Sequence, residues 1–74
     1  MKRKQNRGFL RRRLAKGVKQ LRGEMSQSQF RHMAGIDDTS INRIENQQQN
    51  VTVDTLEKLC RNLNCDIEEL FPKD

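Results

Sequence analysis

Residues 27–46 read QSQFRHMAGIDDTSINRIEN, and counted from Gln27 their apolar side chains fall at the fourth, eighth, tenth, fifteenth and eighteenth places (Phe30, Ala34, Ile36, Ile41, Ile44), with Gly35 at the ninth. Two short helices that cross near a right angle through a tight turn need this arrangement. Apolar residues sit wherever the pair faces itself or the core, and glycine sits where the backbone φ turns positive. The stretch therefore predicts a helix-turn-helix.

The same punctuation recurs on either side. An apolar residue, then Ser, Thr or Asp, then an apolar residue four positions on appears as Met25-Ser26…Phe30, Ile36-Asp37…Ile41, Val51-Thr52…Leu56 and Cys65-Asp66…Leu70. Each reads as an N-cap with a hydrophobic staple: the cap oxygen accepts from an orphan N–H and the flanking apolar pair fixes the angle at which the chain arrives. Ser26 with Gln29 and Asp66 with Glu69 carry the fuller capping box. Four helices are thus expected to begin near residues 27, 38, 53 and 67. A fifth precedes them, because Leu10, Leu14, Val18 and Leu21 form one stripe at helical spacing, closed by Gly23. The helix from residue 53 is expected to bury Val53, Leu56, Leu59, Cys60 and Leu63 and to end at Asn64, and Pro72 closes the last short one. No segment alternates with period two, so the expected fold is all-α, with a basic flexible arm over 1–8 and a single domain over 9–74.

Charge is distributed unevenly. The net charge of +5 resolves into +9 over residues 1–24 (ten basic side chains against Glu24), −1 over 25–53 and −3 over 54–74. Such asymmetry suggests one end that meets a polyanion, against the alternative of an ordinary solvated face. At 74 residues, with no Trp and no Tyr, an aromatic-walled ligand cavity is not expected. No apolar run approaches the roughly 18–20 residues of a membrane span, and Met1 to Arg13 lacks the apolar stretch of a secretory signal, so a cytoplasmic protein with no membrane partner is expected. Cys60 and Cys65 are five apart and His32 is the only histidine, which gives no zinc or redox spacing; reduced thiols, no metal and no cofactor are expected. There is no nucleophile–His–acid set and no phosphate-binding glycine loop ending in lysine, so the chain does not read as an enzyme.

In order and spacing, Met25-Ser-Gln-Ser-Gln-Phe30, Ala34-Gly-Ile36, Ser40-Ile-Asn-Arg-Ile-Glu45, Asn50-Val-Thr-Val-Asp-Thr-Leu56 and Leu63 through Ile67-Glu-Glu-Leu-Phe71 resemble the lambda-repressor-like Cro/C1 group, often called the XRE family. The resemblance covers about residues 10–71 and is nearest to small single-domain regulators, including the controller proteins of restriction–modification systems. It implies a five-helix DNA-binding domain. Three departures stand out. Arg31 occupies a place that is usually small, where a long stem can snorkel past the helix crossing. Gln47 stands where glycine is frequent, and Arg22 and Gln27 are only five apart, a tighter first connection than the family tends to have.

The helix after Asp37 shows which face meets a partner. With Ile41 and Ile44 inward, a step of about 100° per residue puts Thr39, Asn42, Arg43 and Asn46 on the opposite side. Arg can bond guanine O6 and N7 together, Asn can bond adenine N6 and N7, and the Thr methyl can meet thymine. A recognition helix reads bases mainly through its first turns, so Asp38, Thr39, Asn42 and Arg43 are the base-contact candidates. Asp38 either accepts from cytosine N4 or favours the helix N-terminus through the dipole.

The resemblance implies a phosphate contact for Gln27, whose bland alternative is an ordinary helix start, and places Ser40, Asn46, Gln48, Gln49 and Asn50 along the DNA backbone, where a plain solvated loop is the alternative. Lys2, Arg3, Lys4 and Arg7 of the arm join them, following the duplex or entering a minor groove, with Arg11, Arg12, Lys16 and Lys19 on the helix behind. Non-specific polyanion attraction is the competing reading. Glu45, about 40° from Ile41 on the core side, resembles the family acid that pairs with the Arg ending the first helix, here Arg22.

The expected function is sequence-specific binding of double-stranded DNA by a transcriptional regulator, a repressor acting as a homodimer on a near-palindromic operator, with helix 3 in the major groove. The acidic C-terminal part, with Cys65, Ile67, Leu70 and Phe71, is the candidate dimer surface unless those residues fill the core. The alternative is the antitoxin of a toxin–antitoxin pair, binding a protein toxin as well as DNA.

Overall fold

Five α-helices follow one another in the computed structural model, which describes residues 8–48 and 50–73: α1 (Phe9–Arg22), α2 (Gln27–Ala34), α3 (Asp38–Glu45), α4 (Val53–Leu63) and α5 (Ile67–Leu70). No strand occurs among the described residues, so the fold is all-helical as the capping pattern predicts. The helices begin where the caps place them. The Ser26 hydroxyl accepts from Gln29 N–H at 3.1 Å while Gln29 Oε1 accepts from Ser26 N–H at 3.1 Å, a complete capping box. Asp37 accepts from Ser40 N–H at 2.7 Å, and Thr52 from Thr55 N–H at 3.1 Å. At α5, Asp66 N–H donates to Glu69 Oε1 at 2.9 Å.

Two helices stop in a Schellman motif, in which a residue of left-handed backbone lets two N–H groups turn back onto orphan carbonyls. In α4 that residue is Asn64 (φ 54°), with Cys65 N–H donating to the Cys60 carbonyl at 3.0 Å. In α3 it is Gln47 (φ 63°), and Gln48 N–H donates to the Arg43 carbonyl at 2.7 Å. The family's frequent glycine is thus replaced without loss of the turn, at the backbone strain a side chain brings to that conformation.

The core is Leu14, Val18, Phe30, Ala34, Ile41, Ile44, Leu59 and Leu70, drawn from all five helices. α1 packs on α3 and α5, α2 on α3 and α4, and α4 on α5, so α3 is gripped from its inner side by α1 and α2. The crossing of α2 and α3 is tied down by α4: Asn62 Nδ2 donates to the Ala34 carbonyl at 2.8 Å and Lys58 Nζ to the Gly35 carbonyl at 3.4 Å. Gly35 makes the turn at φ 77°.

Val53, expected to be buried, and Leu10, at the head of the α1 stripe, both lie outside the core. Val53 is 77% exposed, because Val51 and Leu56 already staple the first turn of α4 onto the core and leave Val53 at the edge of the stripe. Leu10 is 51% exposed; in the first turn of α1 it rims a groove with Leu14, Val51, Leu56 and Phe71 instead of entering the core. At the C-terminal end, Leu70 is fully buried and Phe71 half-buried, so of the four apolar residues of the expected dimer surface only Ile67 stands open.

The first and last helices are closely joined. A Cβ on Gly17 would lie 2.1 Å from the Leu70 carbonyl oxygen and 2.8 Å from that of Glu69, so only glycine lets α1 and α5 approach this far. Beside that contact, Arg13 donates through Nε to the Pro72 carbonyl at 3.0 Å and through Nη2 to the Phe71 carbonyl at 2.9 Å, and Lys16 Nζ donates to the Lys73 carbonyl at 3.2 Å. Cations thereby satisfy the carbonyls that trail α5.

Candidate nucleic-acid interface

α3 presents two faces of different chemistry. Ile41, Ile44 and Glu45 are buried, while Asp38, Thr39, Asn42 and Arg43 are exposed and Ser40 is half-buried at the margin. Arg43 makes no hydrogen bond through its guanidinium among the described residues, and its planar fork of donors stands open for a bidentate acceptor.

The tandem acids at the start of α3 do different work. Asp37 is the N-cap; the backbone N–H and then the hydroxyl of Ser40 hold its carboxyl below the usual aspartate range, with Arg43 and Arg31 adding to the effect against a small opposing burial. Asp38, one residue on, was assigned either to a base or to the helix dipole. A third partner is present: Arg31 Nε lies 3.0 Å from its Oδ1. Arg31 thus passes the crossing by extending outward, and its charge ends beside the first residue of the exposed helix.

Gln27, at the first position of α2, is half-buried and donates through Nε2 to Asn42 Oδ1 at 2.9 Å. The residue assigned to a phosphate and one assigned to a base are therefore neighbours. Past α3, Asn46 closes the helix, and Asn46, Gln48 and Asn50 are exposed. Asn50 Oδ1 accepts from Arg11 Nη2, which ties this loop to α1. Gln49, like Lys2, Arg3, Lys4 and Arg7 of the basic arm, lies outside the described residues.

Behind the exposed face, Arg22 and Glu45 join α1 to α3. Arg22 Nη2 donates to Glu45 Oε1 at 3.2 Å, and Arg22 Nε lies 2.9 Å from Oε2 with its N–H off line, so that second contact is one of charge more than of a directed hydrogen bond. The Glu45 side chain is only 8% exposed and that of Arg22 25%. Lys16 is turned to the Lys73 carbonyl and Arg11 to Asn50, while Lys19 is exposed in the last turn.

Sequence reasoning missed the Arg31–Asp38 and Gln27–Asn42 pairs, and also Arg13 and Asn62 as clamps on distant carbonyls. The spacing of Gln27 and Asn42 within the helix-turn-helix was the only signal for any of them. Burial, then the neighbouring Cys60, pushes the Cys65 thiol up to about 11, which keeps it protonated at neutral pH. Among the described residues no group of three metal-ligating side chains occurs, and no helix is long and apolar enough to cross a membrane.

The sequence profile of the Cro/C1-type HTH DNA-binding domain matches residues 21–72, a span that takes in α2 to α5 and the last residues of α1. No curated protein and no solved structure gives a significant match.

Proposed function

This chain belongs to the family of Cro/C1-type helix-turn-helix DNA-binding domains, and on that premise we propose that it is a transcriptional repressor that binds a near-palindromic operator as a homodimer, with α3 in the major groove. The observation that carries the reading is the exposed polar face of α3, where Asn42 and the open guanidinium of Arg43 stand one turn from the helix start, next to Gln27 at the start of α2. In this docking the first turns of α3 reach base edges and α2 crosses the backbone. Arg43, Asn42 and Thr39 meet the bases with Asp38 at the leading end, and Gln27, Ser40, Asn46, Gln48 and Asn50 meet phosphates. Gln49 and the arm residues Lys2, Arg3, Lys4 and Arg7 complete the backbone set.

One recognition helix spans only a few base pairs, so a second copy supplies the specificity that one half-site lacks. The chain acts in the cytoplasm without a cofactor, and it is not an enzyme.

Fluorescence-polarisation binding to the DNA upstream of its own gene and to a scrambled duplex, across a salt series, tests this. A preference of about 10³-fold or more for the upstream DNA, most of it erased by Arg43→Ala, is the expected result. Equal binding that collapses with salt, by about 10³–10⁵ between 50 and 200 mM, is the signature of phosphate attraction alone. That outcome removes the upstream operator and favours a protein partner such as a toxin.

A further inference from the structure

The leading end of a helix aimed at DNA is a costly place for a free carboxylate, because the nearest phosphates repel it. Asp38 occupies that place, and its side chain is 59% exposed. Its neighbour Asp37 is committed to capping α3 through Ser40. Asp38 has no such duty, and what it does have is Arg31, whose Nε stands 3.0 Å from Oδ1. An ion pair this open to water (44% and 59% exposed) adds little to stability. What it does provide is placement and a cancelled charge on the surface offered to the duplex.

A carboxylate has about four lone-pair sites, and a contact at Oδ1 leaves most of that capacity open. Of the four bases, cytosine alone offers the major groove a donor with no acceptor, its N4 amino group. Guanine and thymine present acceptors that repel a carboxylate, and adenine sets an acceptor beside its donor. We propose that Arg31 and Asp38 select a base together: Arg31 is a positioning residue that holds the Asp38 carboxylate at the start of α3, where it accepts from cytosine N4. The pair thereby imposes a C·G base pair at one position of each half-site. The inference rests on the reading of α3 as the groove helix and names one element of the sequence it reads.

Selection of binding sites from a randomised duplex pool by the full chain, followed by sequencing, tests it. The unaltered protein is expected to enrich cytosine at one position of each half-site by about tenfold or more. Asp38→Ala flattens that position and leaves the others, and Arg31→Ala weakens the same position only, with partial recovery in Arg31→Lys. Asp38→Asn moves the preference there from cytosine to adenine, a gain that a misfolded protein cannot produce. Selection of an operator whose base preferences are unchanged, or uniformly weakened, in the Asp38 and Arg31 variants overturns the inference while leaving the groove reading intact. A protein that enriches no sequence at all overturns both.

Discussion

Gln27 donates its side-chain amide to Asn42 across the crossing of α2 and α3, 2.9 Å from Nε2 to Oδ1. The contact orients the Asn42 amide, and in the proposed docking it sets in advance the donor and acceptor that adenine requires. Gln27→Ala is expected to weaken operator binding by about tenfold and to blur the preference at the base pair proposed for Asn42, a cost of roughly one base contact. Gln48→Ala, whose side chain has no such partner among the described residues, is expected to lower affinity for every sequence alike. Polarisation titrations of both variants against the operator and its single-base variants separate the two patterns. If Gln27→Ala weakens all sequences equally, Gln27 acts on phosphate alone.

Glu45 is the buried acid among the described residues, and Arg22 is the cation it faces. Glu45→Gln keeps the shape and removes the charge, leaving Arg22 uncompensated but still partly in water. The expected loss is about 2–3 kcal/mol, at or below the range for breaking a fully buried pair. For a domain of this size that lowers Tm by about 10 °C or more. A thermal melt within a degree or two of the unaltered protein would show that the pair contributes nothing net.

Gly17 inverts the usual rule for glycine in a helix. Alanine there gains about 1 kcal/mol in helix propensity. Its methyl, however, lands 2.1 Å from the Leu70 carbonyl oxygen, and that backbone atom has no side-chain freedom with which to yield. Gly17→Ala is expected to destabilise the domain by about 1–3 kcal/mol net and to loosen α5 first. Amide hydrogen exchange in residues 67–73 reads the loosening directly. A more stable Gly17→Ala variant would mean that α1 and α5 can part without cost.

The Asp37 cap makes the start of α3 sensitive to acid. Its folded carboxyl titrates below the unfolded value of about 3.9, because the Ser40 N–H and hydroxyl favour the charged form. The stability it contributes is present above that unfolded value and is lost as pH falls toward and through the depressed one. Asp37→Asn keeps a good cap and removes the titration. Thermal melts between pH 5 and 2 are therefore expected to fall less steeply for the variant than for the unaltered protein, and superimposable slopes would remove Asp37 from the acid response.

The helices were legible because their boundary signals are local. Ser26, Asp37 and Thr52 each find their N–H three residues on, and the apolar pair that brackets each cap needs no knowledge of the rest of the chain. Periodicity likewise gave the inward face of α3. It misplaced Val53 and Leu10 because an angular position says which side of a helix is apolar and not how far along the helix its neighbours reach. The joint use of Arg31 and Asp38, the meeting of Gln27 with Asn42 and the need for glycine at position 17 depend on how separate segments cross. The bond from Lys16 to the Lys73 carbonyl is of the same kind, since nothing near Lys16 in the sequence points to a carbonyl 57 residues away.

The clasp between Arg13 and the carbonyls of Phe71 and Pro72 joins residues 58 and 59 positions apart, and Leu70, which completes the core beneath α1, comes only just before them. During synthesis α1 precedes both helices it packs on, α3 and α5, so its contact with Leu70 is the last part of its packing to form. Contacts of such long range are slow to form and leave apolar surface open in the meantime. A nascent chain stalled before residue 70 therefore has the whole of α3 in place on a body whose α1–α5 contact cannot yet close.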